Sequence, residues 1–246
     1  ENERIMAAAC DAGISAHRDG TLKKLTYMSS SMVFESTTDW PSYEGQEREV
    51  PPPLSSYGFQ KLAVEYFARA AYDQYGLPFT IVRPFNCVGV GEGRAIGEAE
   101  VLSGNVKLAM SHVVPDLIQK IAKGQDPLRI LGSGEQVRHF TYGRDLAQGI
   151  VTTLEHPAAL NEDFNLSTAE ATTILELASL LWSKIRADDE PFRYVSDEPY
   201  EHDVQLRIPS VEKAKLLLDF EATTSLDEML DDVIPWVQEA IRTGRI

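Results

Sequence analysis

The chain has 246 residues, 43% hydrophobic and 25% charged, enough apolar material for one large or two smaller packed cores of an ordinary globular protein. Its formal net charge of −15, with a pI near 4.7, disfavours nucleic acid and anionic membrane surfaces as partners, so any anionic substrate must be met by a local cluster of arginines. No apolar run approaches the roughly 20 residues of a membrane span, and the two cysteines, Cys10 and Cys87, form no C-x-x-C and fit a reducing cytoplasm.

In chain order, the first helix is expected over 1–13, with Ile5, Ala8 and Ala9 on one face and Gly13 as its stop. A strand follows over 25–30, then a polar loop over 37–53 whose Val50-Pro51-Pro52-Pro53 run delivers the chain into a helix over 56–75. Gly76-Leu77-Pro78 ends that helix and a strand runs over 80–83. Residues 89–108, with four glycines in the first half, are expected to form a mobile loop over a substrate. Next come an amphipathic helix over 114–123, a strand over 128–131, the glycine turn Gly132-Ser133-Gly134 and a helix over 144–155. A strand over 163–166 and surface-packing helices over 173–186, 211–218 and 225–242 complete the chain, which has no internal repeat and no low-complexity tract.

Two short motifs carry chemistry. Ser29-Ser30-Ser31-Met32-Val33-Phe34 closes the apolar run at 25–30, and Tyr57-Gly58-Phe59-Gln60-Lys61 opens the next helix. Residues four apart share a helix face, so the Lys61 ammonium stands one turn beyond the Tyr57 phenol on the same side. A phenol of pKa about 10 becomes a base near neutrality only if lowered by roughly 3 units, about 4 kcal/mol, which a neighbouring cation and desolvation can supply together. A serine hydroxyl at a strand end can hold the substrate oxygen that such a phenol deprotonates. In isolation, Tyr-x-x-x-Lys also describes a helix with a buried tyrosine and a solvated lysine.

The order of the surrounding motifs is more specific. Arg83-Pro84-Phe85-Asn86-Cys87-Val88-Gly89 follows the Tyr57 helix, then Ser111-His112-Val113-Val114-Pro115, then Ile130-Leu131-Gly132-Ser133-Gly134-Glu135-Gln136-Val137-Arg138-His139-Phe140, Asp145 and Phe164-Asn165-Leu166-Ser167. On these residues the chain resembles, along nearly its whole length, the extended short-chain dehydrogenase/reductase family: the NAD-dependent nucleotide-sugar epimerases and dehydratases typified by UDP-glucose 4-epimerase. The resemblance implies an α/β fold, the C-terminal part of a Rossmann-type doubly wound parallel sheet (1–88 and 137–170) with a smaller α/β substrate-binding domain (89–136 and 171–246).

It also implies roles. Ser30, Tyr57 and Lys61 would be catalytic, and NAD, or NADP, would lie against Ser29, Tyr57, Lys61, Pro84, Phe85 and Cys87. A nucleotide sugar would meet Ser31, Asn86, His112, Val113, Arg129, Leu131, Arg138 and Arg207, arginine being suited to bidentate pairing with phosphate oxygens. Cys87 reads as a small buried thiol, and His139 and His156 as packing or surface histidines. The implied reaction is C4 epimerisation of a UDP-hexose through a 4-keto intermediate; a reductase or decarboxylase of the same family, or a non-catalytic nucleotide-sugar-binding fragment, are the alternatives. A homodimer is implied, built on helices 1–13 and 56–75.

Departures narrow the chemistry. Met32 stands where the GDP-fucose synthases have a cysteine, and a thioether transfers no proton; Ser31-Met32 stand where the 4,6-dehydratases have the Asp-Glu that eliminates water, so no carboxylate is placed to protonate a leaving hydroxyl. The stretch Tyr200-Glu201-His202-Asp203 lacks an arginine seen in many 4-epimerases. No glycine-rich turn of the kind that cradles a pyrophosphate follows an apolar strand. The chain is therefore expected to be a fragment rather than a domain that has lost its dinucleotide, because a sheet cut at its middle leaves an unpaired apolar edge.

Overall fold

A computed structural model describes residues 2–91, 101–103, 106–108, 112–187, 189–199 and 204–245, with the backbone alone at 2–3, 101–103 and 106–108. In chain order the elements are α1 (Asn2–Arg18), β1 (Leu25–Met28), α2 (Ser56–Tyr75), β2 (Phe79–Pro84), β3 (Cys87–Val88), β4 (Val101–Ser103) and β5 (Val106–Leu108). There follow α3 (Val113–Ala122), β6 (Leu128–Leu131), β7 (Val137–Arg138), β8 (Thr141–Tyr142), α4 (Gly143–Glu155) and β9 (Glu162–Leu166). The last are β10 (Thr172–Thr173), α5 (Ile174–Ile185), β11 (Tyr194–Asp197), α6 (Glu212–Leu218) and α7 (Leu226–Arg242).

The chain divides into two compact units. The first comprises Glu1–Cys87, His139–Glu170 and Arg207–Thr223; the second Val88–Arg138, Ala171–Leu206 and Thr224–Ile246. Residues 207–223, expected in the substrate domain, thus belong to the first unit. The reason is apolar: Ala214 and Leu218 of α6, with Phe220, are buried in one cluster with Val82, Phe164 and Leu166 of the sheet and Leu146 of α4.

The first unit is built on a parallel sheet of order β1-β2-β9, in register Leu25↔Phe79 to Met28↔Val82 and Thr80↔Glu162 to Pro84↔Leu166. Side chains alternate across a strand. Tyr27, Phe79 and Ile81 accordingly face α1 and α2, packing with Cys10, Val64 and Ala68, while Val82, Phe164 and Leu166 face α4 and α6. Helices on both faces of a parallel sheet make this a doubly wound α/β unit.

Gly13 does not stop α1. A side chain there would meet Leu25 Cδ2 at 3.2 Å and Leu77 Cδ2 at 3.3 Å, so the glycine serves close packing inside the helix, and the left-handed Gly20 (φ 73°) lies just past its end. Helix α2 has its expected bounds: the Ser55 hydroxyl accepts from Gly58 N at one end, and Gly76 (φ 71°) turns left-handed at the other. The polar loop before α2 holds a short 3-10 turn, Gln46–Arg48, with Ser42, Gln46 and Glu47 buried.

In the second unit α3 packs against α5 and α7, burying Leu117, Ile118, Ile121, Leu177, Leu181, Leu230, Val233 and Val237. Both α5 and α7 open with capping boxes, Thr173 with Glu176 and Ser225 with Glu228. Strand β6 pairs with β11 in parallel, and β4 with β5 antiparallel inside the segment expected as a loop. Gly132 (φ 70°) and Gly134 (φ 81°) form the expected turn after β6. Among the described residues no helix is long and apolar enough to cross a membrane.

Candidate functional site

The serine motif lies at the carboxyl end of β1. Ser29 extends the ladder by one bond, its N–H donating to Val82 O at 2.8 Å, and Ser30 remains extended (φ −161°, ψ 154°). The Ser30 Oγ accepts from Met32 N at 3.2 Å, capping a 3-10 turn over Ser31–Phe34. That turn forms because Val33 and Phe34 have apolar partners: with Leu62 and Phe85 they make a buried cluster in which the Phe34 and Phe85 rings stack at 6.2 Å.

The amino end of α2 presses on the same turn. A side chain on Gly58 would lie 2.8 Å from Met32 O and 2.7 Å from Pro53 Cβ, so only glycine allows the approach that brings Tyr57 there. Glu35 Oε2 accepts from Ser55 N and Oγ at 2.9 and 2.8 Å, fixing the helix start. Tyr57 is half exposed, and Lys61 Nζ lies 5.8 Å from the centre of its ring and donates to Met28 O at 2.8 Å. Tyr57 and Lys61 line a groove of about 300 Å³ with Ile5 and Met6 of α1.

Asn86, left-handed at φ 37°, accepts from Thr141 N at 3.1 Å and donates Nδ2–H to His139 O at 3.3 Å. Its Oδ1 accepts from Arg207 Nη1 at 3.2 Å, while Arg207 Nη2 reaches Met32 Sδ at 2.9 Å. Arg207 therefore stands beside the serine turn, within the first unit.

The structure buries two side chains expected at the cofactor and exposes a thiol expected to be buried. The Ser29 hydroxyl is turned inward to Glu65 Oε1 at 2.5 Å, and Ser29 is buried, so that side chain is not offered to a cofactor. Phe85 is fully buried against Phe34 and is a core residue. Cys87 is exposed, not a buried thiol, because the β3 pleat turns Val88 inward instead. Pro84 ends β2 half-buried, and Ser31 is buried.

The remaining expected contacts lie in the second unit. His112 is exposed at the N-cap position of α3 and makes no capping bond with its side chain; Val113 is the first residue of that helix and Ser111 lies outside the described residues, as do Tyr200 to Asp203. Arg129 and Leu131 project from β6, the former ion-paired with Asp197 of β11. Arg138 Nη1 donates to Val137 O at 2.9 Å and Gln205 O at 3.3 Å.

One feature escaped sequence reasoning: a buried charge cluster under the serine motif. Arg83, with no exposed surface, donates Nε–H to Glu65 Oε1 at 2.7 Å and Nη2–H to Glu65 Oε2 at 2.6 Å, and its Nη2 also lies 2.8 Å from Asp163 Oδ2 and 3.1 Å from Glu47 Oε1. The signals were present: Arg83 is the one charged residue in the β2 strand, and Glu65 lies eight residues after Tyr57 on one helix face. Burial opposes ionisation of Asp163, but Arg83, Lys213 and Arg69 hold its carboxyl well below the usual range. Burial pushes Glu47 up despite Arg83, and pushes the buried His139 imidazole down, its Nδ1–H donating to Thr168 O at 3.0 Å.

A depressed carboxylate contributes stability that is present above its unfolded pKa and lost as pH falls toward its folded value. Urea midpoints of the wild type should accordingly fall from about pH 5 downward. In Asp163→Asn the midpoint at pH 7 should be lower and the acid-side slope shallower; equal slopes would refute the assignment.

A parallel, doubly wound α/β unit with a serine at a strand end and Tyr-x-x-x-Lys on the following helix defines a short-chain dehydrogenase/reductase. Residues 2–167 match the NAD dependent epimerase/dehydratase family, and the chain belongs to it. The uncharacterized UDP-glucose epimerase YtcB of Bacillus subtilis is 26% identical over 227 residues, covering 91% of this chain and 63% of its own length. UDP-glucuronic acid decarboxylase 1 of Danio rerio is 28% identical over 215 residues, 87% of this chain and 47% of that protein. The chain thus spans about half to two thirds of these relatives. The crystal structure of the Thermotoga maritima UDP-glucose 4-epimerase with UDP-glucose superposes with a TM-score of 0.78 at 26% identity, over 96% of this chain and 69% of that one, and carries the Rossmann-type fold.

Proposed function

We propose that this chain carries the proton-transfer and substrate-handling residues of an NAD-dependent nucleotide-sugar epimerase acting at C4 of a UDP-linked hexose. The observation that carries the reading is that Tyr57 and Lys61 line one groove while Lys61 is bonded to the Met28 carbonyl, two residues before Ser30.

The groove suits the nicotinamide ribose half of NAD. Lys61 keeps two N–H donors beyond its bond to Met28 O, and the Tyr57 phenol is half exposed beside it. When bound, NAD would accept the hydride leaving sugar C4 and would give the same hydride back to C4 from the opposite face, so that no net oxidation occurs. The Ser30 hydroxyl holds the 4-oxygen, and Tyr57 removes its proton as the C–O bond becomes a carbonyl. Lys61, a cation on the same helix face 5.8 Å from the Tyr57 ring, is assigned to the nicotinamide ribose beside it. After the 4-keto sugar presents its other face, Tyr57 returns the proton to the oxygen and the product differs only in configuration at C4. Asn86 and Arg207 are assigned to the diphosphate, and His112, Val113, Arg129, Leu131 and Arg138 to the nucleotide.

The test is conversion. The full-length protein supplied with NAD and UDP-glucose should form UDP-galactose, resolved by chromatography; UDP-hexose binding without conversion by that full-length protein would favour a binding domain and overturn the enzyme reading.

The family resemblance also supports a homodimer. Phe59, Tyr66 and Phe67 of α2 are exposed at 52%, 57% and 39% and border an apolar groove of about 480 Å³. Light scattering is expected to give twice the chain mass, and a monomer would sink the assignment. The unbridged thiols of Cys10 and Cys87 support a reducing, cytoplasmic location.

A further inference from the structure

We infer that Glu65 is a positioning residue: through the Ser29 hydroxyl it holds the strand end bearing Ser30 at a set distance from the helix face bearing Tyr57. The inference rests on the proposed roles of Ser30 and Tyr57 and goes beyond them, since Glu65 is buried and bonded within the unit.

Successive turns of α2 grip successive points of the strand end. Gly58 packs on Met32 O, Lys61 donates to Met28 O at 2.8 Å, and Glu65 Oε1 accepts from Ser29 Oγ at 2.5 Å. Ser30 lies between Met28 and Met32, so these contacts bracket it on both sides. They differ in strength. The Gly58 contact is van der Waals and the Lys61 bond is open to water, whereas Ser29 is 4% and Glu65 1% exposed. A short hydrogen bond to a carboxylate in a dry site is the strongest of the three and the slowest to exchange for water.

The carboxylate is itself immobile, because both its oxygens are held by the Arg83 fork at 2.7 and 2.6 Å. Arg83 is part of the central strand β2, so the anchor for Ser29 is the sheet itself. Tyr57, Lys61 and Glu65 recur every four residues on one helix face, and the register of that face against β1 is what sets the gap between the phenol and the Ser30 hydroxyl. A misplacement of about 1 Å between reacting groups can cost roughly a hundredfold in rate.

Ser29→Ala removes one hydroxyl and leaves the Glu65–Arg83 pair intact, avoiding the unpaired buried guanidinium that Glu65→Ala would create. Native-state hydrogen exchange at the 30–34 amides should rise about tenfold with no change in α4. In the full-length protein with NAD and UDP-glucose, kcat should fall about tenfold at unchanged KM, and Ser29→Thr should restore both readouts. Exchange and kcat within about twofold of wild type, a rise spread evenly over the unit, or a local rise with unchanged kcat would each overturn the inference. Absence of turnover by the wild type would sink the proposed function instead, and the exchange pattern then decides the inference by itself.

Discussion

Arg83→Met is expected to lower the free energy of unfolding by about 3–5 kcal/mol. The side chain is fully buried, and its guanidinium faces Glu65, Asp163 and Glu47 at once. Methionine fills much of the same volume, so little cavity forms; the cost is electrostatic. Asp163 would keep Lys213 at 2.9 Å and Arg69 at 3.1 Å, but Glu65 would lose both bonds of its bidentate partner and remain buried with the Ser29 hydroxyl. At about 2–4 °C per kcal/mol for a chain of this size, the midpoint should drop by roughly 6–20 °C in far-UV circular dichroism. Combining Arg83→Met with Glu65→Leu should recover part of the loss, because an apolar pair of similar volume is often as stable as a buried ion pair. A single-variant loss below about 1 kcal/mol would mean that water or relaxation already screens the cluster.

Tyr57→Phe is the complementary case, large in rate and small in stability. It removes one oxygen from a half-exposed side chain, so the unfolding free energy should move by no more than about 0.5 kcal/mol. General acid–base catalysis contributes about 10²–10⁴-fold, and turnover of the nucleotide sugar should fall by that factor, about 3–5 kcal/mol in the barrier. Binding of UDP, which Tyr57 is not assigned to contact, should stay within about twofold by calorimetry. Unchanged turnover would remove Tyr57 from the mechanism; weakened UDP binding at unchanged single-turnover rate would reassign it to substrate binding.

Much of the fold was legible locally. The 56–75 helix could be read from the proline run that delivers the chain into it and from Gly76-Leu77-Pro78 that ends it, and the strand at 80–83 from the β-branched Thr80-Ile81-Val82, because such signals act over a few residues. The failure at Gly13 is instructive: in the sequence a glycine after an apolar stripe looks like a stop, while in the structure it is a packing site for Leu25 and Leu77. The proline run and the glycine turn were likewise legible, since each restricts its own backbone.

Of the candidate site, the sequence by itself determined which chemical groups are present: the serines at a strand end, and the phenol and ammonium four apart on a helix. Only the tertiary structure decided what each faces. It turned Ser29 into the core toward Glu65, 36 residues away; it joined Arg83 to Asp163 across 80; and it set Arg207 on Met32 across 175. It also buried Phe85 and exposed Cys87, two residues apart. The physical reason is that local spacing fixes a residue's own turn or strand, whereas partners so distant in sequence meet only once the apolar faces of α2, β2 and α6 have packed and the buried charges must find counter-charges or remain unpaired.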